Sequence, residues 1–209
     1  MIYNYKEIME IYKNDYNLKK ALNKNEIFKL DKGIYSKKKI VSPLVIYSKK
    51  YPNSVITMDS AFYYYNLTDV IPNKIYLSTN RNGTTIISDK IQQVRMKDEL
   101  YDLGKTEIHY EGIKINNEKI VQTFMSKDIL YQGKVNVQTN DGVINIYDRE
   151  RLLIELIRKK KQIPFDYYKE IISNYRKLAN ALDTQKIEEY LQYFVNGDKI
   201  FEIIQDEVF

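Results

Sequence analysis

The spacing of apolar residues changes period within the first 36 positions, and that change constrains the fold more than any other feature. Tyr5, Ile8, Met9 and Tyr12 stand at i, i+3, i+4 and i+7, the stripe of an amphipathic helix over 4–13. Asn4 is placed to cap it. Residues 17–23 form a shorter helical stretch, with Leu18, Ala21 and Leu22 on one face, Lys19, Lys20 and Lys24 off it, and Asn17 available as its cap. Then the period drops to that of a strand. Ile27, Phe28 and Leu30 lead into Asp31-Lys32-Gly33, and Ile34-Tyr35-Ser36 follows. Two short apolar runs around a glycine-containing turn predict a β-hairpin. Helix, turn, helix, hairpin is the order of a winged helix-turn-helix.

Charge singles out the same segment. Residues 1–50 hold twelve lysines and five acidic side chains, a net of +7 in a chain whose total is +5. The remainder is therefore slightly acidic. Such asymmetry points to a polyanionic partner for the basic part. An AT-rich genome enriches Lys, Ile, Asn and Tyr everywhere and accounts for the 20 tyrosines. It does not account for the scarcity of acids in the first fifty positions. With 17–24 as a recognition helix, Lys19, Lys20 and Lys24 lie near the groove wall. Lys37, Lys38 and Lys39 then stand at or just past the wing. Their ammonium groups would neutralise phosphates and release counterions. Tyr16 and Asn17 open the helix where base-reading residues of such folds sit. The plainer alternative is a solvated lysine-rich surface.

Downstream, Tyr51-Pro52-Asn53-Ser54 reads as a turn. Val55-Ile56 leads to a helix starting at Asp59 or Ser60 and running to Tyr65, and Lys74 to Ser78 reads as a strand. Asn82-Gly83 is a strong hairpin signal, with Thr84–Ile87 as the returning strand. Residues 88–146 are strand-rich, with candidates at Ile91–Met96, Thr106–Tyr110, Ile113–Ile115 and Ile144–Tyr147. From 148 the pattern is helical. Asp148 caps a first helix, Pro164 opens a second, Asp183 or Thr184 caps a third that Gly197 stops, and Asp198 caps a fourth.

Little in the chain suggests catalysis. There is no cysteine, so thiolate metal sites and cysteine nucleophiles are excluded. His109 is the one histidine, too few for a histidine-rich zinc site. No phosphate-binding glycine loop occurs. Asp148 and Glu150 could serve as acid/base or metal groups, but acids at a helix start are ordinary. The run Phe62-Tyr63-Tyr64-Tyr65 could stack bases, yet on a helix at most two of the four share a face. The expectation is a protein that is not an enzyme and that uses no metal and no cofactor. No apolar run approaches a membrane span of roughly 20 residues, and the first residues are polar, so neither a membrane partner nor a signal peptide is expected, and a cytoplasmic location is.

Three stretches, taken in order, resemble a known family. Asp31-Lys32-Gly33-Ile34-Tyr35 looks like the wing of a winged-helix regulator. Ser60-Ala61-Phe62 with Asn66-Leu67-Thr68-Asp69-Val70-Ile71-Pro72-Asn73-Lys74-Ile75-Tyr76-Leu77 is similar to the middle motif of AbiEi-type antitoxins of type IV toxin–antitoxin and abortive-infection systems. Tyr147-Asp148-Arg149-Glu150-Arg151-Leu152-Leu153-Ile154-Glu155-Leu156-Ile157-Arg158 is similar to a third motif of that family. The resemblance spans residues 1 to about 195. It implies a winged helix that represses its own promoter and a carboxy-terminal part that counters a nucleotidyltransferase toxin, with or without direct contact. Carried over by position, the recognition helix falls on Asn17–Asn23 and the wing on Lys29–Lys39. Such proteins carry a further helix ahead of the one at 4–13, which here has no counterpart.

These readings converge on an α+β protein. A small, reduced winged helix-turn-helix occupies 1–50. A mixed or antiparallel sheet domain occupies 51–209 and ends in four helices over 148–209. The expected function is an autoregulating antitoxin that binds double-stranded DNA through Tyr16, Asn17, Lys19, Lys20, Lys24, Lys37, Lys38 and Lys39. The alternative is a protein-interaction module whose degenerate winged helix no longer touches DNA.

Overall fold

A computed structural model describes residues 1–83, 92–96, 107–114 and 118–209, with side chains described at 1–83 and 120–209. The fold is α+β. The chain divides into two compact units, Met1–Ser54 with Asn136–Asn145, and Val55–Val135 with Ile146–Phe209.

The first unit runs β1 (Ile2–Asn4), α1 (Tyr5–Tyr12), α2 (Asp15–Asn23), β2 (Phe28–Asp31), β3 (Ile34–Ser36) and α3 (Pro43–Lys50). Asn4 closes a capping box on α1: its side chain accepts from the Glu7 N–H while the Glu7 carboxylate accepts from the Asn4 N–H. Asn14, not Asn17, caps α2, accepting from the Asn17 N–H at 2.9 Å. Two residues thus separate the helices. The sheet order is β1-β3-β2, antiparallel throughout, with Tyr3 opposite Tyr35. Gly33, at φ +76°, makes the hairpin tip, a conformation that costs glycine nothing. Ile8, Leu18, Ala21, Ile27 and Tyr35 form the core, with Tyr3, Met9, Tyr12 and Leu22 packed on it. β1 lies outside the sequence expectation, because three residues give too short a run to show a period.

The second unit is built on a mixed sheet. Its elements are β4 (Val55–Ile56), α4 (Met58–Tyr64), β5 (Lys74–Asn80), β6 (Gln92–Met96), β7 (Glu107–Lys114), β8 (Glu118–Met125), α5 (Lys127–Leu130), β9 (Lys134–Gln138) and β10 (Val143–Tyr147). After these come α6 (Arg149–Arg158), α7 (Phe165–Lys177), α8 (Thr184–Leu191) and α9 (Gly197–Val208). The strand order is β6-β7-β8-β5-β4-β10-β9, parallel at β5–β8 and β4–β10. The distal part of β9 and β10, residues 136–145, is counted with the first unit. Asp148 caps α6 and Asp183 caps α8, as the sequence suggests. Gly197 does not stop the third helix. That helix ends at Leu191, Asn196 takes the left-handed turn at φ 55°, and Gly197 opens α9. The expected strand Thr84–Ile87 and the side chain of His109 lie outside the described residues. Among the described residues no helix is long and apolar enough to cross a membrane.

Candidate nucleic-acid interface

α2 has a buried face and a polar face at helical spacing. Leu18 and Ala21 are buried and Leu22 half-buried. Tyr16, Lys19, Lys20 and Asn23 stand at i, i+3, i+4 and i+7, and at 100° per residue they fall opposite the buried stripe. All four are exposed, Tyr16 at 75%. Lys19 and Lys20 enter no ion pair among the described residues. A cationic and hydrogen-bonding ridge of this kind can meet phosphates on both walls of a groove and base edges between them.

The other expected site residues are distributed less simply. Asn17 is exposed, but its amide Nδ2 donates to the Tyr12 carbonyl at 3.1 Å and clasps the turn between the helices. Lys24 lies 3.9 Å from Glu26, both well exposed. Lys37, Lys38 and Lys39 are exposed. Of these, Lys38 is tied: its ammonium donates to Asp141 Oδ1 at 2.7 Å and to the Asn140 carbonyl at 3.1 Å. Beyond the run, Lys49 pairs with Glu7 at 2.7 Å, and Lys50 pairs with the buried Asp31. Glu7, Glu26 and Asp31 are already counted in the +7 of the segment, so of these pairs only Lys38–Asp141 draws on it, and Lys19 and Lys20 of α2 enter none of them.

Two groups escaped the sequence reading. Asn23 follows from the spacing of Tyr16, Lys19 and Lys20, had the outward stripe been extended one turn. Asp141 could not be found that way, since it lies 103 residues from the lysine it holds. Its carboxyl is held below the usual carboxylate range by the Lys38 ammonium and the Ser42 N–H.

The carboxylates of the second unit are engaged in holding helices. Asp148 Oδ1 accepts from the Arg151 N–H at 2.9 Å, and Oδ2 accepts from Tyr190 at 2.8 Å and Lys186 at 3.2 Å. Glu150 accepts from the Asp183 N–H at 3.1 Å. Among the described residues no group of three or more His, Cys, Asp or Glu side chains could hold a metal ion. In the run 62–65, Phe62 is fully buried, Tyr63 is exposed, and Tyr64 meets Tyr65 edge to face at 5.2 Å. The aromatic run therefore divides between core and surface, and does not form one stacking platform.

No protein-family model and no curated protein matches the chain. Solved structures do match. JHP933 from Helicobacter pylori shares 12% identity over 81% of this chain and 82% of its own, at a TM-score of 0.34. A second H. pylori structure, that of a putative nucleotidyltransferase, shares 13% over 80% and 84%, also at 0.34. An antigenic nucleotidyltransferase-like protein from Paracoccidioides brasiliensis shares 10% over 99% and 91%, at 0.31. These names correct the expectation that the chain is not an enzyme, because neighbours so named remove the exclusion of catalysis. At these TM-scores the likeness supplies no activity and no catalytic residue in its place.

Proposed function

We propose that the chain is a DNA-binding regulator whose first unit takes double-stranded DNA with α2 as the recognition helix. Following the resemblance of its three motifs, we further propose that it is an antitoxin that represses its own promoter and counters a nucleotidyltransferase toxin. One observation carries the DNA reading. The outward stripe of α2 holds Tyr16, Lys19, Lys20 and Asn23, all exposed, on a helix anchored by Leu18 and Ala21, and neither lysine enters an ion pair among the described residues. Lysines left without carboxylate partners on a rigid helix are suited to phosphate contact, because no internal pair must break first. The hairpin β2–β3 beside the helix supplies Lys29 and Lys32, both exposed.

The test is binding to the promoter of its own operon, followed by fluorescence anisotropy across a salt series. The logarithm of affinity should fall linearly with the logarithm of salt, with a slope of roughly −0.9 per neutralised phosphate. The double variant K19E/K20E should lose binding while keeping its helical circular dichroism. No binding, or a flat salt response, overturns the reading. Unchanged repression in the double variant would favour a protein-interaction module instead. The antitoxin part predicts that the adjacent gene encodes a nucleotidyltransferase whose toxicity is relieved by co-expression. Toxicity that persists overturns that part alone.

A further inference from the structure

We infer that Asp141 is a positioning residue for the DNA-binding surface, setting the basic run so that Lys37 and Lys39 meet phosphate while Lys38 does not. The inference rests on the DNA-binding reading above and deepens it.

One carboxylate grips the segment between β3 and α3 at two points. Asp141 Oδ1 accepts the Lys38 ammonium at 2.7 Å, and Oδ2 accepts the Ser42 N–H at 3.1 Å. The Asn140 carbonyl takes a second Lys38 proton at 3.1 Å, and the buried Ser36 hydroxyl accepts from the Lys38 N–H at 2.9 Å. The segment 36–42 is thus tied at its start, middle and end. The platform for this tie is itself closed. Thr139 N–H and Oγ1 both donate to the Gly142 carbonyl, at 2.8 and 2.7 Å. Gly142 sits at φ +150°, and a Cβ there would lie 2.9 Å from Val45 Cγ1 and 3.3 Å from Ile2 Cγ2. The tight turn therefore needs its glycine to bring Asp141 within reach of Lys38.

Lys37 and Lys39 are exposed and enter no ion pair among the described residues. A free lysine-rich loop would have to lose backbone and side-chain freedom on binding DNA. The grip on Lys38 and Ser42 removes much of the backbone part in advance. The geometry also makes a prediction of unusual sign. An acid beside a DNA-binding surface repels phosphate, so removing it should tighten binding if Asp141 were a bystander. With Asp141 as the grip, removing it should weaken binding.

The experiment measures affinity and salt slope on a short non-specific duplex for the wild type, Asp141→Asn, Lys38→Met, the double variant and K19E/K20E. Asp141→Asn and Lys38→Met should each weaken binding roughly ten-fold and flatten the slope by up to about 1.8, the share of two phosphates. The double variant should be no weaker than either single one, because both remove the same tie. A merely structural loss would lower the melting temperature without changing the slope. Should Asp141→Asn fail to fold, Lys38→Met carries the test, its side chain being half exposed. Unchanged or tighter binding by Asp141→Asn overturns the inference. So does a slope reduced by about 0.9 in Lys38→Met alone, since Lys38 would then touch phosphate directly. Loss of binding in K19E/K20E with no effect at Asp141 leaves the DNA reading standing without this one. A wild type that binds no duplex removes both.

Discussion

The guanidinium of Arg151 and the carboxylate of Glu155, one turn apart on α6 and both without solvent exposure, meet at 2.6 Å. Arg151 also donates to the Ile129 carbonyl at 2.9 Å and lies over the rings of Tyr147 and Phe194 at 4.6 and 4.5 Å. Arg158 reaches both oxygens of the same carboxylate at 3.2 Å. Two guanidinium groups therefore converge on this one carboxylate. Removing one partner of a buried pair costs about 3–5 kcal/mol, because it leaves a charge uncompensated. Glu155→Gln takes the carboxylate from both guanidinium groups at once, whereas Arg151→Met leaves Glu155 paired with Arg158. Glu155→Gln should thus destabilise by about 3–5 kcal/mol, and more than Arg151→Met. Urea denaturation followed by circular dichroism ranks the two, and the reverse order would contradict this arrangement.

Gly133 stands against the same arginine. Its φ is +73°, and a Cβ there would lie 2.4 Å from Arg151 Cβ and 2.9 Å from Asp148 Oδ1. Its carbonyl accepts from the Asp148 N–H at 2.8 Å, so it cannot move away without freeing the cap of α6. Gly33, at the hairpin tip, has nearly the same φ, +76°, but nothing within 4 Å of such a Cβ. Gly33→Ala should cost only the backbone strain, about 1 kcal/mol. Gly133→Ala adds a clash with the α6 hub and should cost well over ~2 kcal/mol. Comparable thermal midpoints for the two variants would refute the difference.

The local parts of this architecture were legible in the sequence, and the non-local parts were not. α1 and the β2–β3 hairpin declare themselves because Tyr5, Ile8, Met9 and Tyr12 share one face and Gly33 marks the tip. β8 hides. It lies between β5 and β7, and its buried stretch includes Gln122 and Thr123, which break any apolar run. Gln122 is tolerated there because its Nε2 donates to Thr79 Oγ1 at 2.8 Å on the neighbouring strand, a partner 43 residues away. Gly197 misleads for a different reason. Glycine commonly ends helices, but here Asn196 takes the left-handed conformation and glycine begins the next helix. In the candidate site the exposed stripe of α2 follows from spacing alone. Which lysines are neutralised does not, since Glu7, Asp31 and Asp141 reach theirs through the fold.

Asp59, near the start of α4, gives a pH test. Burial pushes its carboxyl above the ordinary value of 3.8, against the downward pull of the neighbouring Tyr76 and Tyr167 hydroxyls and of Lys74. The folded state therefore binds this proton more tightly than the unfolded chain does. The ionised group costs stability at neutral pH, and the cost disappears as pH falls through the raised value toward 3.8. Asp59→Asn should raise the thermal midpoint at pH 7, and the gain should vanish near pH 4. Measuring the difference between variant and wild type cancels the opposite contributions of Glu7 and Asp141, whose carboxyls are lowered. An Asp59→Asn variant less stable at pH 7 would show that the ionised acid is favoured where it stands.

The lysines of the first unit are chemically alike but not equivalent as phosphate ligands. Lys49 sits 2.7 Å from Glu7, and Lys50 holds Asp31, which is only 8% exposed. For either to contact DNA, an existing ion pair must open, and for Lys50 the carboxylate left behind would be buried. Lys20 carries no such obligation. Lys20→Ala should therefore flatten the salt slope of DNA binding by about 0.9, with little change in stability. Lys49→Ala should leave the slope unchanged. Lys50→Ala should also leave it unchanged but lower the thermal midpoint, because Asp31 loses its partner. Anisotropy at four salt concentrations, with a melt for each variant, separates these outcomes. Equal flattening by Lys49→Ala and Lys20→Ala would mean that binding opens the internal pair, and that net charge, not the stripe on α2, governs affinity.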